Sequence, residues 1–133
     1  MTQSSAAKDV VDYIDAQGVA TLGFDLFAFE LAQDVDKQAV IVDTGGIMST
    51  LPEVYEQVTV QLLIRGGRGE PFIAVNDFAR QIHNLLISTH VNANTNDYKE
   101  FTPTGQGAPS FIGRDSEDRI LMSCNYYAYR NPF

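Results

Sequence analysis

Hydrophobic and polar positions along this chain follow two periods, and each period marks an element. Near the start, Ala7, Val10, Val11 and Ile14 recur at helical spacing, with Lys8, Asp9, Asp12 and Asp15 mostly off that stripe. Ser4 or Ser5 supplies a cap before the stripe and Gly18 a stop after it. A helix this short needs tertiary packing to persist. The pattern then changes to period two. Leu22, Phe24, Leu26 and Ala28 alternate with Gly23, Asp25, Phe27 and Phe29, which predicts a strand over 22–29. Polar, turn-like residues 33–37 separate it from an apolar run, Ala39-Val40-Ile41-Val42. That run reads as a second strand, stopped by Thr44-Gly45-Gly46. Residues 47–52 read as loop.

The clearest strand spans 55–65, with Val58, Val60, Leu62 and Ile64 on one face and Thr59, Gln61 and Arg65 on the other. Arg65-Gly66-Gly67-Arg68-Gly69-Glu70 breaks it, and Pro71 suits the first turn of a helix. Phe72, Val75, Ala79, Ile82 and Leu86, widened by Phe78 and Leu85, predict a helix over 71–88. Residues 89–109 are rich in Asn, Gly and Pro and read as a long flexible loop, with a short strand around 98–101. Residues 110–113 predict a strand and 115–118 a turn. The last strand covers 119–130, with Ile120, Met122, Cys124, Tyr126 and Ala128 on one face. The order is helix, three strands, helix, then two or three strands. This is an α+β chain, a mostly antiparallel sheet flanked by two helices, in one domain over 1–133.

Composition narrows the function. Of 133 residues, 44% are apolar and 11% aromatic, enough for a core and against disorder. The formal charge is −8, from 9 basic and 17 acidic residues, and the basic residues do not cluster. Such a surface repels a phosphate backbone, so sequence-independent nucleic-acid binding is not expected. It suits a soluble protein held apart by self-repulsion until it meets a partner. Cys124 stands alone, so no intrachain disulfide or cysteine metal site is expected. The first residues lack the basic and apolar regions of a signal peptide, and no apolar run approaches the roughly 20 residues that span a bilayer.

Several short motifs carry candidate chemistry. Asp43-Thr44-Gly45 after an apolar run resembles the retroviral-type aspartic proteases, in which two subunits each supply one aspartate to hold a nucleophilic water. Phe111-Ile112-Gly113-Arg114 adds to that resemblance. Two aspartates sharing a proton would polarise the water, so a dimer would be required. The context differs: a helical pattern of about 18 residues lies between the motifs, and a turn and strand, not a helix, follow Gly113-Arg114. The Gly66-Gly67-Arg68-Gly69-Glu70-Pro71 stretch sits where a phosphate loop would. It lacks the Gly-Lys-Ser/Thr ending, Pro71 removes a donor, and Glu70 repels an anion, so a strand-to-helix turn is favoured. His83 and His90 are seven apart with no third ligand, and both read as surface or boundary residues. Cys124 reads as a small core residue. Alternation places Tyr127 and Tyr129 on the face opposite Tyr126, a candidate interface patch; Phe133 ends this aromatic C-terminus.

The order of these elements resembles the tail terminator (minor capsid, tail completion) proteins of long-tailed bacteriophages. The resemblance covers roughly residues 5–130. It is carried by the first helix, the strand ending in Thr44-Gly45-Gly46 and the strand ending in Arg65-Gly66. The helix ending in Ile82-His83-Asn84-Leu85-Leu86 follows, then Gly113-Arg114-Asp115, Arg119 and Ser123-Cys124-Asn125-Tyr126. It implies a sheet flanked by two helices, with six subunits closing into a ring on the finished tail tube. That ring would end tube polymerisation and present a surface to the head connector or neck protein. DNA would only pass through the bore. The resemblance implies no catalysis, no cofactor, no metal and no membrane. It also implies a late protein made in the host cytoplasm and placed at the head-proximal end of the virion tail. Thr44-Gly45-Gly46 becomes a structural turn. Candidate interface residues are Arg65, Arg68 and Glu70 at the glycine-rich turn, Arg114, Asp115 and Arg119 at the late hairpin, and Tyr127 and Tyr129. The 89–109 loop is expected to order on assembly. Another neck or head-completion protein and the dimeric protease remain the alternatives.

Overall fold

The structure, a computed structural model, describes residues 5–48, 56–88, 91–94, 96–98, 101–105 and 107–130. Helix α1 spans Ala6–Gln17. Ser5 caps it by accepting from the Lys8 N–H, and Gly18 closes it with its N–H on the Asp15 carbonyl. Strands β1 (Leu26–Ala28), β2 (Gln38–Met48) and β3 (Glu56–Arg65) follow, then helix α2 (Phe72–Ser88). The chain ends with β4 (Val91–Ala93), β5 (Asn96–Tyr98), β6 (Thr102–Pro103), β7 (Ser110–Arg114) and β8 (Ile120–Arg130).

Among the described residues all eight strands join one sheet, in the order β1-β2-β3-β8-β5-β4, with β6 and β7 also paired to β8. Strand β8 pairs along its length with β3 on one side and takes β7, β6 and β5 in turn on the other. Only β1 with β2 is parallel among the strand pairs described; the sheet is otherwise antiparallel, as the pattern predicts. Alternate residues face one core. Val58, Val60, Leu62 and Ile64 of β3 and Ile120, Met122, Cys124, Tyr126 and Ala128 of β8 are buried in it. Helix α1 contributes Ala7, Val10, Val11 and Ile14, and α2 contributes Val75, Phe78, Ala79, Ile82 and Leu86.

The close fit of α2 to the sheet depends on Gly66. A Cβ there would approach Val75 Cγ2 to 2.6 Å, so any side chain would push the helix off the end of β3.

Four sequence expectations are corrected. The strand expected over 22–29 contracts to β1, with Leu22 only bridging to Leu26. Strand β2 does not stop at Thr44-Gly45-Gly46. It runs through them with a bulge between Asp43 and Gly45, and Gly45 takes φ 107°, a conformation that suits glycine and absorbs the extra residue. Phe72 stands half-exposed at the start of α2 rather than in its buried stripe, edge-on to Phe111 with centroids 6.2 Å apart. Within 89–109, the described residues build β4, β5 and β6 and bury Val91, Asn96, Tyr98 and Phe101. Residues 49–52, His90 and Phe133 lie outside the described residues.

Candidate assembly surfaces

The charged residues singled out by sequence converge at one end of the sheet. Arg65, the last residue of β3, stands opposite Gln38, the first of β2. Its Nε donates to the Asp36 carbonyl at 3.1 Å, and its Nη2 to the Ala32 carbonyl at 3.0 Å and to the Val35 carbonyl. Gln38 completes the hold on the same loop, donating to the Ala32 and Val35 carbonyls and accepting from the Ala32 N–H. Three hydrogen-bonded carbonyls thus fix a segment that has no periodicity of its own.

Arg119 then ties this loop to the β7–β8 hairpin. It meets Asp36 at 2.7 Å, Asp115 at 2.8 Å and Glu117 at 2.8 Å. Arg68 reaches Glu117 at 2.6 Å and Asp36 at 3.7 Å. Asp115 also accepts from the Glu117 and Arg119 N–H groups, closing the hairpin turn. The Arg119 backbone hydrogen bond, with the guanidinium beside it, holds the Asp115 carboxyl below the usual range. Burial alone would lower Arg119, but its hydrogen bonds to Asp115 and Asp36 raise it instead. Burial first, and the like charge of Arg119 second, lower Arg65. Three cations and three anions therefore neutralise one another in a clasp joining the 32–36 loop, the glycine-rich turn and the late hairpin.

Of the predicted residues, Arg65, Arg68, Asp115 and Arg119 belong to the clasp. Glu70 lies beside it, accepting from the Gly67 N–H and pairing with Lys37 at 3.3 Å. Arg114 stands apart on β7, near Asp118 at 3.5 Å. Sequence reasoning missed Asp36 and Glu117, which sit in stretches that read as ordinary polar turns.

Tyr127 and Tyr129 lie elsewhere, on the sheet face away from the helices. Their rings meet edge to face at 6.2 Å. The register sets Tyr129 beside Gln57, Tyr127 beside Thr59, Asn125 beside Gln61 and Ser123 beside Leu63. No residue of this block carries a charge. Thr44 donates to the Thr59 hydroxyl, which donates to the Gly45 carbonyl.

Two polar networks are buried, and neither was legible. Asp9, fully buried, accepts from Asn94 at 2.9 Å, Asn96 at 2.8 Å and the Tyr98 hydroxyl. Arg130 donates to that hydroxyl at 3.0 Å and lies 3.8 Å from the Asp9 carboxylate. Burial, reinforced by Asp9, pushes the Tyr98 hydroxyl up. The available signal was parity: the alternation from Ile120 to Ala128 turns Arg130 inward, and an inward cation needs an anion. His83, expected at the surface or its boundary, is only 3% exposed and bonds the Tyr126 hydroxyl at 2.7 Å. Burial, then the charge of Arg80, lowers His83; burial raises Tyr126 and Cys124.

Asp43 is exposed, and its carboxylate accepts from the Ala7 N–H at 2.9 Å, at the positive end of α1. Among the described residues no group of His, Cys, Asp or Glu is arranged to hold a metal, and no helix is long and apolar enough to cross a membrane.

A family model described as bacteriophage tail terminator protein matches residues 13–131. The chain belongs to the bacteriophage tail terminator family. Curated proteins give no match. The terminator match runs from within α1 to just past β8, so it takes in the clasp, the uncharged face and both Asp43 and Gly113. Within this family the chain is a structural protein of phage tail assembly and a component of the virion tail. Asp43-Thr44-Gly45 is then strand and bulge backbone whose carboxylate supports a helix end.

Proposed function

We propose that this terminator-family chain closes a ring, with six copies expected, on the end of the tail tube. The ring halts tube polymerisation and presents its other side to the head connector or neck protein, at the head-proximal end of the tail. The observation that carries this reading is the terminator-family match across residues 13–131. The surface is compatible with it. The uncharged block around Tyr127 and Tyr129 offers aromatic area with little desolvation penalty, as assembly contacts favour. A net charge of −8 lets DNA pass through a bore without sticking. The chain works by contact, with no cofactor and no catalysis, and is made as a late protein in the host cytoplasm.

The test is tube elongation. Purified chain added to polymerising tube protein should arrest growth and leave ring-shaped density at tube ends in electron micrographs. Unchanged elongation with bare ends would overturn the reading. Arrest without binding to connector would leave a terminator that does not join head to tail.

A further inference from the structure

We infer that the two opposite edges of the sheet form a head-to-tail contact between copies of this chain, the β1 edge of one receiving the β7 edge of the next. The inference rests on the ring reading and names the surfaces that would close it.

Each edge displays large apolar side chains. Around β1 stand Leu22, Phe24, Phe29 and Leu31, with Phe24 71% exposed. Around β7 stand Phe111 and Ile112, beside Phe72 and Ile73 at the start of α2, with Ile73 68% exposed. Strands β2, β3 and β8 lie between, so the edges are roughly 20 Å apart along the sheet. Clusters of this kind on a small domain mark contact sites. Phe29 adds a local sign: its φ is 78°, which a bulky residue rarely adopts, yet its ring stays exposed.

Shape and charge choose the partner. The β1 edge is concave. One hollow of about 470 Å³ is lined by Leu22, Gly23, Phe27, Ala28, Glu30 and Leu31. A second of about 530 Å³ is lined by Phe24, Asp25, Asp34 and Val35, among others. The β7 edge instead offers side chains on an exposed strand and helix end. The β1 edge is also acidic: among the described residues Asp25, Glu30 and Asp34 are in no ion pair, and Lys37, which also lines the second hollow, is paired with Glu70. The β7 edge is balanced instead of acidic: Arg114 lies near the exposed Asp118, and Arg80, two turns beyond Ile73, has Asp77 between. A two-fold contact through the β1 edge would set three carboxylates against three. Edge to opposite edge avoids that, and a heterologous contact is the kind that builds a ring when its rotation closes, as the ring reading requires.

The test uses complementary blocked edges. Wild type at high protein concentration and raised ionic strength should sediment as oligomers. Phe24→Asp and Ile112→Asp should each sediment as monomers. Mixed in equal amounts, they retain one good edge each and should form a two-subunit species and nothing larger. Ile73→Asp should behave as Ile112→Asp does. Melting by circular dichroism within a few degrees of wild type shows that these exposed substitutions leave the fold intact. Association of Phe24→Asp alone, a mixture that stays monomeric, or a wild type that never associates would each overturn the contact. Tube arrest by wild type that survives in both variants would overturn the contact while leaving the assembly reading in place; failure of wild type to arrest tubes would sink that reading instead.

Discussion

Asp43 shows how one residue can carry two readings until its neighbours are known. Its place in Asp-Thr-Gly suggests chemistry, while its contact with the Ala7 N–H makes it a helix support. Asp43→Asn keeps an oxygen for that N–H and loses only the charge at the helix end, about 0.3–1 kcal/mol. Asp43→Ala loses the acceptor too and should cost about 1–2 kcal/mol. Urea titrations of both variants decide it, and equal losses would deny the hydrogen bond. His83 gives a second prediction at this scale. Its folded pKa lies below the unfolded value of about 6.5, so the unfolded chain binds the extra proton. The His83 contribution is therefore complete above about pH 6.5 and is lost as pH falls below it. The stability gap between wild type and His83→Gln, which keeps a partner for Tyr126, should shrink from about pH 7.5 to about pH 5.5. A gap independent of pH would show that His83 does not titrate differently in the two states. Ser5 and Gly18 were legible because a cap is a local geometry. Asp9 and His83 were not, because their burial is decided by residues more than 40 positions away.

Elements with a strong period declared themselves. Helix α2, β3 and β8 follow their patterns, since each buries a stripe that sequence alone displays. Ile82→Ala on α2 should therefore cost about 2–5 kcal/mol, the usual range for a buried Ile. Phe72→Ala, half-exposed, should cost well under that, and a reversed ranking in denaturant melts would overturn the placement of the stripe. The elements that stayed hidden lack such a stripe. Glycines conceal the second half of β2, because Gly45 and Gly46 read as a stop, yet Gly45 ends a bulge and Gly46 pairs in register with Val58. Strands β4 and β5 are three residues each, too short for a period to show. They are positioned by Asp9, through Asn94, Asn96 and Tyr98. Asp9→Asn should accordingly speed amide exchange across 91–98 while leaving the middle of α2 unchanged. Equal exchange in the two proteins would mean the strands hold themselves.

At the scale of the whole molecule, charge and apolar edges pull in opposite directions. The clasp cancels its own three cations and three anions, so the entire −8 falls on the remaining surface. Two approaching copies repel before any contact forms. Apolar side chains such as Phe24 and Ile73 gain only once the surfaces meet. Added salt acts on the first effect far more than the second, since the Debye length falls from about 10 Å at 0.1 M to about 3 Å at 1 M. Local charges at the edges set orientation more than strength. Self-association measured by sedimentation should therefore rise with salt, most steeply at the low end where screening changes fastest. Substituting lysine for acidic residues outside both edges and the clasp, such as Asp97, should mimic salt by lowering the net charge. Association that weakens as salt is added would show that ion pairs between subunits, not apolar contact, hold the assembly together.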